Sequence, residues 1–187
     1  MKKKLLIVLF AISVPLFIML LSYKLTMRYT ELTPEQQNVL TFLEEKGTLS
    51  VPFTSAEISH LEDVKHVMNK MDFLFYFLLL ILTLIIVYYE QDTAKIVALF
   101  RWGGIVTIVG MGILVFLFYV QFESAFVMFH TIFFPQGNWM FPSDSLLIQT
   151  FPFSFFMSLG RMIVVQSLVW GIVFIAGSLF FRYARKN

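Results

Sequence analysis

"TSAEISHLEDVKHVMNKMDFLFYFLLLILTLIIVYYE", running from Thr54 to Glu90, decides the fold. Thr54 and Glu57 stand three residues apart, the spacing of a capping box, in which each side chain takes up a backbone N–H of the other and starts a helix. After that start, no proline or glycine interrupts the chain until well past the apolar run. The first half is rich in charge, and from Phe73 onward the residues turn almost continuously apolar. A single unbroken helix is therefore expected to begin in water and end in lipid. At about 1.5 Å of rise per residue, His60 would stand roughly three turns above the first strongly apolar residues.

The rest of the chain agrees with a lipid environment. Of its 187 residues, 58% are apolar and only 14% charged, with 23 phenylalanines. The mean hydropathy is +0.79. A soluble domain carries about 25% charged residues. Four segments are apolar enough to cross a bilayer core of about 30 Å. They fall at about 5–22, 73–89, 102–122 and 162–181. Each is continuously apolar rather than alternating, which favours helices over barrel strands. The expected fold is thus an all-α integral membrane protein, a single membrane domain over 1–187. Four transmembrane helices would carry an extracellular cap made of two outer segments, about 23–72 and 123–161.

The first span, "MKKKLLIVLFAISVPLFIMLLS", begins like a signal peptide. Its apolar run exceeds the usual 7–15 residues, and no A-x-A-like cleavage site follows. It reads as a retained helix with a kink at Pro15. Lysine and arginine counts set the orientation. Lys2, Lys3, Lys4, Lys95, Arg101, Arg182, Arg185 and Lys186 would share one side with only Glu90 and Asp92, whereas six basic residues face ten acidic ones on the other. Both termini are expected in the cytoplasm and the two long connections outside. The formal net charge of +2 is too small for a nucleic-acid partner, and the basic residues gather at helix ends. The absence of cysteine excludes disulfides, thiolate metal sites and cysteine nucleophiles.

The outer segments are too long to be mere links. In "LTPEQQNVLTFLEEKG" (Leu32 to Gly47), Thr33 and Pro34 start a short helix, Val39, Leu40 and Leu43 give it an apolar face, and Gly47 is placed to end it. The second segment, "FESAFVMFHTIFFPQGNWMFPSDSLLIQTFPFSFF" (Phe122 to Phe156), mixes aromatics with turn residues and keeps no clean period. Aromatic side chains favour the bilayer interface.

The polar residues there are few, and each has a plain structural reading. His60 follows Glu57 by three residues and precedes Asp63 by three, so carboxylates flank it on one side of a helix. Such a histidine suits general-base work, and an exposed helix with local hydrogen bonds explains the pattern equally well. His66 is six residues from His60 and cannot share its face. His130 stands among apolar neighbours, where a backbone carbonyl commonly anchors the ring. Asp144 reads as the N-cap of a short helix, Gly137 and Asn138 as a turn, and Arg161 as a side chain snorkelling to lipid phosphates. Signatures such as H-E-x-x-H, G-x-S-x-G and the phosphate-binding glycine loop are missing. A metal site using Glu57, His60 and His130 is compatible with the residue types, but no spacing demands one.

"EISHLEDVK" (Glu57 to Lys65) and "FHTIFFPQGNWMFPSDSLLIQTFPFSFF" (Phe129 to Phe156) together resemble the paired signatures of the lipoprotein intramolecular transacylases, Lit. The resemblance implies a small four-helix bacterial plasma-membrane enzyme with an extracellular cap. Its reaction moves an acyl chain from the sn-2 position of a diacylglyceryl lipoprotein to the α-amine of the same molecule's N-terminal cysteine. The implied catalytic pair falls on His60 and His130. Glu57, Asp63 and Asp144 become candidates to orient the histidines, and Asn138 and Trp139 to donate to the carbonyl oxygen. Phe129, Phe133, Phe134, Phe141, Phe151 and Arg161 would line the substrate pocket. Neither a metal nor another cofactor is implied, and the partners are the lipoprotein substrate and membrane lipid. Lys65 and His66 follow the first motif directly, with no role that the resemblance assigns. Two other classes fit the residues: a non-enzymatic membrane scaffold or lipid-binding accessory protein, and a metal-dependent membrane hydrolase.

Overall fold

A computed structural model describes residues 2–120 and 122–184, with side chains over 4–117 and 124–183. All regular structure among them is helical: α1 (Lys2–Tyr29), α2 (Pro34–Leu43), α3 (Ser55–Tyr88), α4 (Thr93–Val120), α5 (Phe122–Phe133), α6 (Leu146–Thr150) and α7 (Phe153–Ala184). Four of them, α1, α3, α4 and α7, are long and apolar enough to cross a membrane. The stretch Thr54–Glu90 forms the single long helix that its sequence predicts. Both bonds of the Thr54–Glu57 capping box are present, and α3 then runs unbroken for 34 residues. Its start, Ser55 to Asp72, is polar, and its apolar run begins at Phe73. The capping box of α2 is also complete, between Thr33 and Gln36, with Pro34 in the first turn.

Two local expectations need correction. Helix α2 ends at Leu43, before Gly47, and Glu45 takes the left-handed turn at φ 59°. Part of the second outer segment, expected to be irregular, is helical as α5, and α7 starts at Phe153, nine residues ahead of the apolar run. Helix α1 continues through Pro15, which lies inside it.

Helix α1 is the hub of the bundle and packs on α3, α4 and α7. Phe10, Val14 and Ile18 of α1 are almost wholly buried against Leu82 and Ile85 of α3 and Ile96 and Leu99 of α4. Between α1 and α7, Gln166 donates to Thr26 and Ser167 to Ser22, at 3.0 and 3.2 Å. Interhelical polar bonds of this kind add to packing where lipid removes the usual hydrophobic drive. A second apolar core lies in the cap, where Val39 and Leu43 of α2 meet Phe53, Leu61 of α3 and Leu147 of α6. This cap core holds α6 and the aromatic Phe141 and Phe151 against α2 and the first turns of α3.

The crossing of α4 and α7 depends on two glycines. A Cβ at Gly104 would lie 2.6 Å from the carbonyl oxygen of Gly171, which is backbone and cannot swing aside. Gly104→Ala should therefore force the helices apart and cost about 1–3 kcal/mol, the usual penalty of overpacking. Gly110→Ala on the same helix is the control, because a Cβ there meets nothing within 4 Å. Thermal unfolding in detergent should show a lowered midpoint for the first variant alone; equal midpoints would refute the close crossing.

Candidate active site

The site is built at the junction of cap and bundle, and Glu57 assembles it. Its Oε2 accepts the backbone N–H and the hydroxyl of Thr54, each at 2.8 Å, and its Oε1 accepts the backbone N–H of Leu147 at 2.8 Å. Leu147 lies in the first turn of α6, whose N-cap is Ser145. One carboxylate thus caps two helices that are 90 residues apart in sequence. Burial alone would raise its pKa, but the Leu147 and Thr54 N–H groups and the Thr54 hydroxyl prevail and hold it below the usual 4.5. The expectation that Glu57 orients a histidine is corrected: both oxygens serve helix ends, and neither is bonded to His60.

His60, one turn further along α3, is buried at 8% exposure. Its ring meets the edge of Phe134 at 4.8 Å and that of Phe141 at 5.7 Å between centroids. Its Nδ1 is buried and has no hydrogen-bond partner among the described residues. Burial lowers its pKa to about 4, the charge of His130 adds to the effect, and Asp63 opposes it. His130 comes from the last turn of α5 and packs against Phe126, Trp139 and the same Phe134, with centroids 4.0, 4.8 and 5.7 Å away. Its Nδ1 lies 2.9 Å from the Phe126 carbonyl oxygen. A carbonyl only accepts, so Nδ1 carries the hydrogen and Nε2 presents a lone pair. Burial lowers this pKa as well, against the bond to Phe126. Phe134 is the shared wall of two imidazoles that both stay neutral at neutral pH.

Asn138 closes the site from the turn at Gly137, which requires the left-handed φ of +79°. Its Nδ2 donates to Asp63 Oδ2 at 2.7 Å and to Ser59 Oγ at 3.4 Å. The carboxylate can only accept, which fixes the amide and turns Oδ1 inward, buried and with no partner among the described residues. The hydrogen bond from Asn138 lowers the Asp63 pKa most, burial opposes it, and Gln136, His60 and His66 add to the lowering. Asn138 was expected to donate to a carbonyl oxygen; its N–H groups are committed elsewhere, and what it offers the interior is an acceptor. Gln136 and Ser59 are members of this network that the sequence reading missed. Their signal was faint: Ser59 adjoins His60, and Gln136 lies inside the Pro135–Gly137 turn.

The remaining candidates divide. Phe134, Phe141 and Trp139 lie against the imidazoles, and Phe129 and Phe133 pack on each other beside His130. Phe151 belongs to the apolar core of the cap instead. Asp144 is exposed and its neighbour Ser145 is the helix cap, which corrects both roles expected of Asp144. Arg161 and His66 are exposed. Among the described residues, no three His, Asp or Glu side chains converge as metal ligands would.

A bundle of four potential spans, with a cap at one end that packs buried His60 and half-exposed His130 among aromatics, defines a membrane protein with a site where cap meets bundle. The chain belongs to the lipoprotein intramolecular transacylase Lit family, whose sequence model matches residues 4–156. Its fold is similar to that of the membrane integral lipoprotein intramolecular transacylase Lit from Bacillus cereus, with a TM-score of 0.84 at 20% identity over 99% of this chain and 98% of that one. A variant of that protein with one histidine replaced by arginine gives a TM-score of 0.80 at 19% identity, covering 99% of this chain and 94% of the other. An uncharacterized protein of Aquifex aeolicus (strain VF5) is 26% identical over 121 residues, 65% of this chain. The match takes in 54% of that relative, so the chain spans about half its length.

Proposed function

We propose that this protein is an acyltransferase that moves an acyl chain within a diacylglyceryl lipoprotein, from the sn-2 ester to the α-amine of the N-terminal cysteine. The observation that carries the reading is that two imidazoles, buried His60 and half-exposed His130, both pack against Phe134 where cap meets bundle. Family membership supports it. An α-amine has an ordinary pKa of about 7.7–8.0, and a site with little water lowers it, which favours the nucleophilic free base. Attack on the ester carbonyl forms the C–N bond, and breaking the ester C–O bond releases the glyceryl oxygen. The proton leaving nitrogen passes to the Nε2 lone pair of one histidine, and the glyceryl oxygen receives a proton in turn. His130 suits the first role, since the Phe126 carbonyl fixes its tautomer. The inward Oδ1 of Asn138 suits an N–H of the incoming amine, with Asp63 holding the amide in place.

Amine and ester belong to one substrate, so the protein needs no nucleophile of its own. Holding them together supplies several kcal/mol, up to about 7–11 in well-aligned cases. The aromatic walls exclude water that would otherwise hydrolyse the ester. In this reading the four spans form one domain in a bacterial plasma membrane, with cytoplasmic termini and the cap outside. The test is a reporter lipoprotein expressed in a host that leaves the cysteine amine free, with and without this protein. Mass spectrometry of the N-terminal peptide should find one acyl chain moved from glycerol to nitrogen at unchanged total mass. An unchanged peptide would favour the scaffold, and outright loss of a chain would favour a hydrolase.

The buried histidines also predict the pH profile. A base whose pKa lies below 6.5 stays neutral further into acid, so kcat at saturating substrate should survive the pH range where an ordinary histidine protonates. Once the limb of the substrate amine, titrated separately, is divided out, the remaining acid limb should lie below pH 6.5. Single-turnover rates in nanodiscs between pH 4 and 8 measure this directly. A midpoint at 6.5 would mean that the imidazoles are solvated during turnover.

A further inference from the structure

An open groove of about 710 Å³ runs beside the histidines, lined on one side by α3 and on the other by the end of α5. Its volume falls within the range of about 300–1,000 Å³ usual for ligand sites. On α3 the lining residues Asp63, His66, Val67, Lys70 and Phe73 recur at helical spacing, so they form one continuous stripe. The stripe is about 15 Å long at the helical rise. Asp63, at its upper end, is the residue that holds Asn138 beside His60. Phe73, at its lower end, opens the apolar run of α3, and Phe133 faces it across the groove. The groove is thus polar along its upper part, where Asn69 and Lys70 also line it, and ends on the two rings of Phe73 and Phe133. Lys70 and His66 flank the middle, and neither makes an ion pair or hydrogen bond with the described residues.

We propose that this groove seats the acyl chain that is not transferred, the sn-1 chain of the diacylglyceryl group, and this rests on the transacylase reading. A glyceryl group has two neighbouring esters, so a site that acts on one must give the other chain its own way down into lipid. The carbonyl that reacts belongs between His60 and His130. The groove begins one turn lower on α3, at Asp63, the offset that an ester on the adjacent glyceryl carbon needs. Val67, Phe73 and Phe133 contact the chain below that ester.

The experiment uses a synthetic diacylglyceryl-cysteine lipopeptide with a diazirine at the end of its sn-1 chain. It is irradiated with the full-length protein in nanodiscs, and the labelled peptides are mapped. Label concentrated on α3 between residues 67 and 73 and on Phe133 is the expected result. Label on the lipid-facing surfaces of α4 or α7 overturns the proposal. Val67→Trp fills the groove and should cut this label, raising KM about tenfold or more while kcat is kept, as loss of a hydrophobic subsite does. A variant with unchanged KM, in a membrane preparation that still transfers acyl, overturns it as well. Labelling needs no turnover, so the two readings fail separately. Groove labelling without N-acylation keeps the lipid seat and sinks the transfer reading; N-acylation with label elsewhere does the reverse.

Discussion

His60→Ala and His130→Ala should each lower the rate of acyl transfer by about 10²–10⁴-fold, the range that one positioned acid–base group supplies. The protein should still reach the membrane folded. His130 is half-exposed at the end of a short helix, so its loss leaves the cap core intact. His60 is buried against Phe134 and Phe141, and its removal leaves a space. His60→Gln therefore serves as the companion variant, filling much of that space without an imidazole. If the two rings share one proton path, the double variant should fall little further than either single one, because residues acting as a unit lose their effect together. The readout is the N-terminal peptide of a reporter lipoprotein, followed over time. Retention of full transfer by both single variants would remove the histidines from the mechanism and leave proximity alone. Activity that a chelator abolishes would point to a metal-dependent hydrolase instead.

Glu57→Ala should be the most damaging structural change in the cap. It removes the acceptor for the Thr54 and Leu147 backbone N–H groups, so two helix starts lose a cap at once. A lost cap costs about 0.5–2 kcal/mol, and a buried N–H left unpaired costs about 1–3 kcal/mol. Together the effect should reach about 3–5 kcal/mol on the cap, with α6 released from α3. Limited proteolysis should then cut near residues 142–152 well before the wild-type chain. Glu57 also makes the cap sensitive to acid. Its folded pKa lies below 4.5, so its stabilisation is complete above that value and is lost as pH falls through the depressed folded one. Glu57→Gln should be less stable at neutral pH and should lose this acid dependence. Equal proteolysis of wild type and Glu57→Ala would refute the shared cap.

Two of the roles in this site are hard to tell apart in the sequence. In "EISHLED", Glu57 and Asp63 flank His60 symmetrically, three residues away on each side. The structure gives them different work. Glu57 turns toward helix ends, whereas Asp63 engages Asn138 and faces both the site and the groove. Nothing local distinguishes them, because the deciding partners, Leu147 and Asn138, are 90 and 75 residues away. The same holds for Asn138. A turn is evident from Gly137, but only the Asp63 carboxylate fixes which end of the amide faces inward.

The sequence by itself determined the membrane class, the helical character of the spans and the long helix from Thr54 into lipid. These follow from local physics: continuous apolar runs must cross lipid as helices that satisfy their own backbone, and a capping box with no later breaker starts a helix and lets it run. The resemblance to the Lit signatures, rather than composition or spacing, pointed to His60 and His130, whose residue pattern alone left plain structural readings open. Only the tertiary structure decided that α1 is the hub, that Gly104 and Gly171 let α4 and α7 touch, and that both imidazoles pack against Phe134. Those facts depend on contacts between residues far apart in the chain. Packing around α1 and the shared cap at Glu57 bring α3, α5 and α6 to one point, where burial makes both histidines neutral.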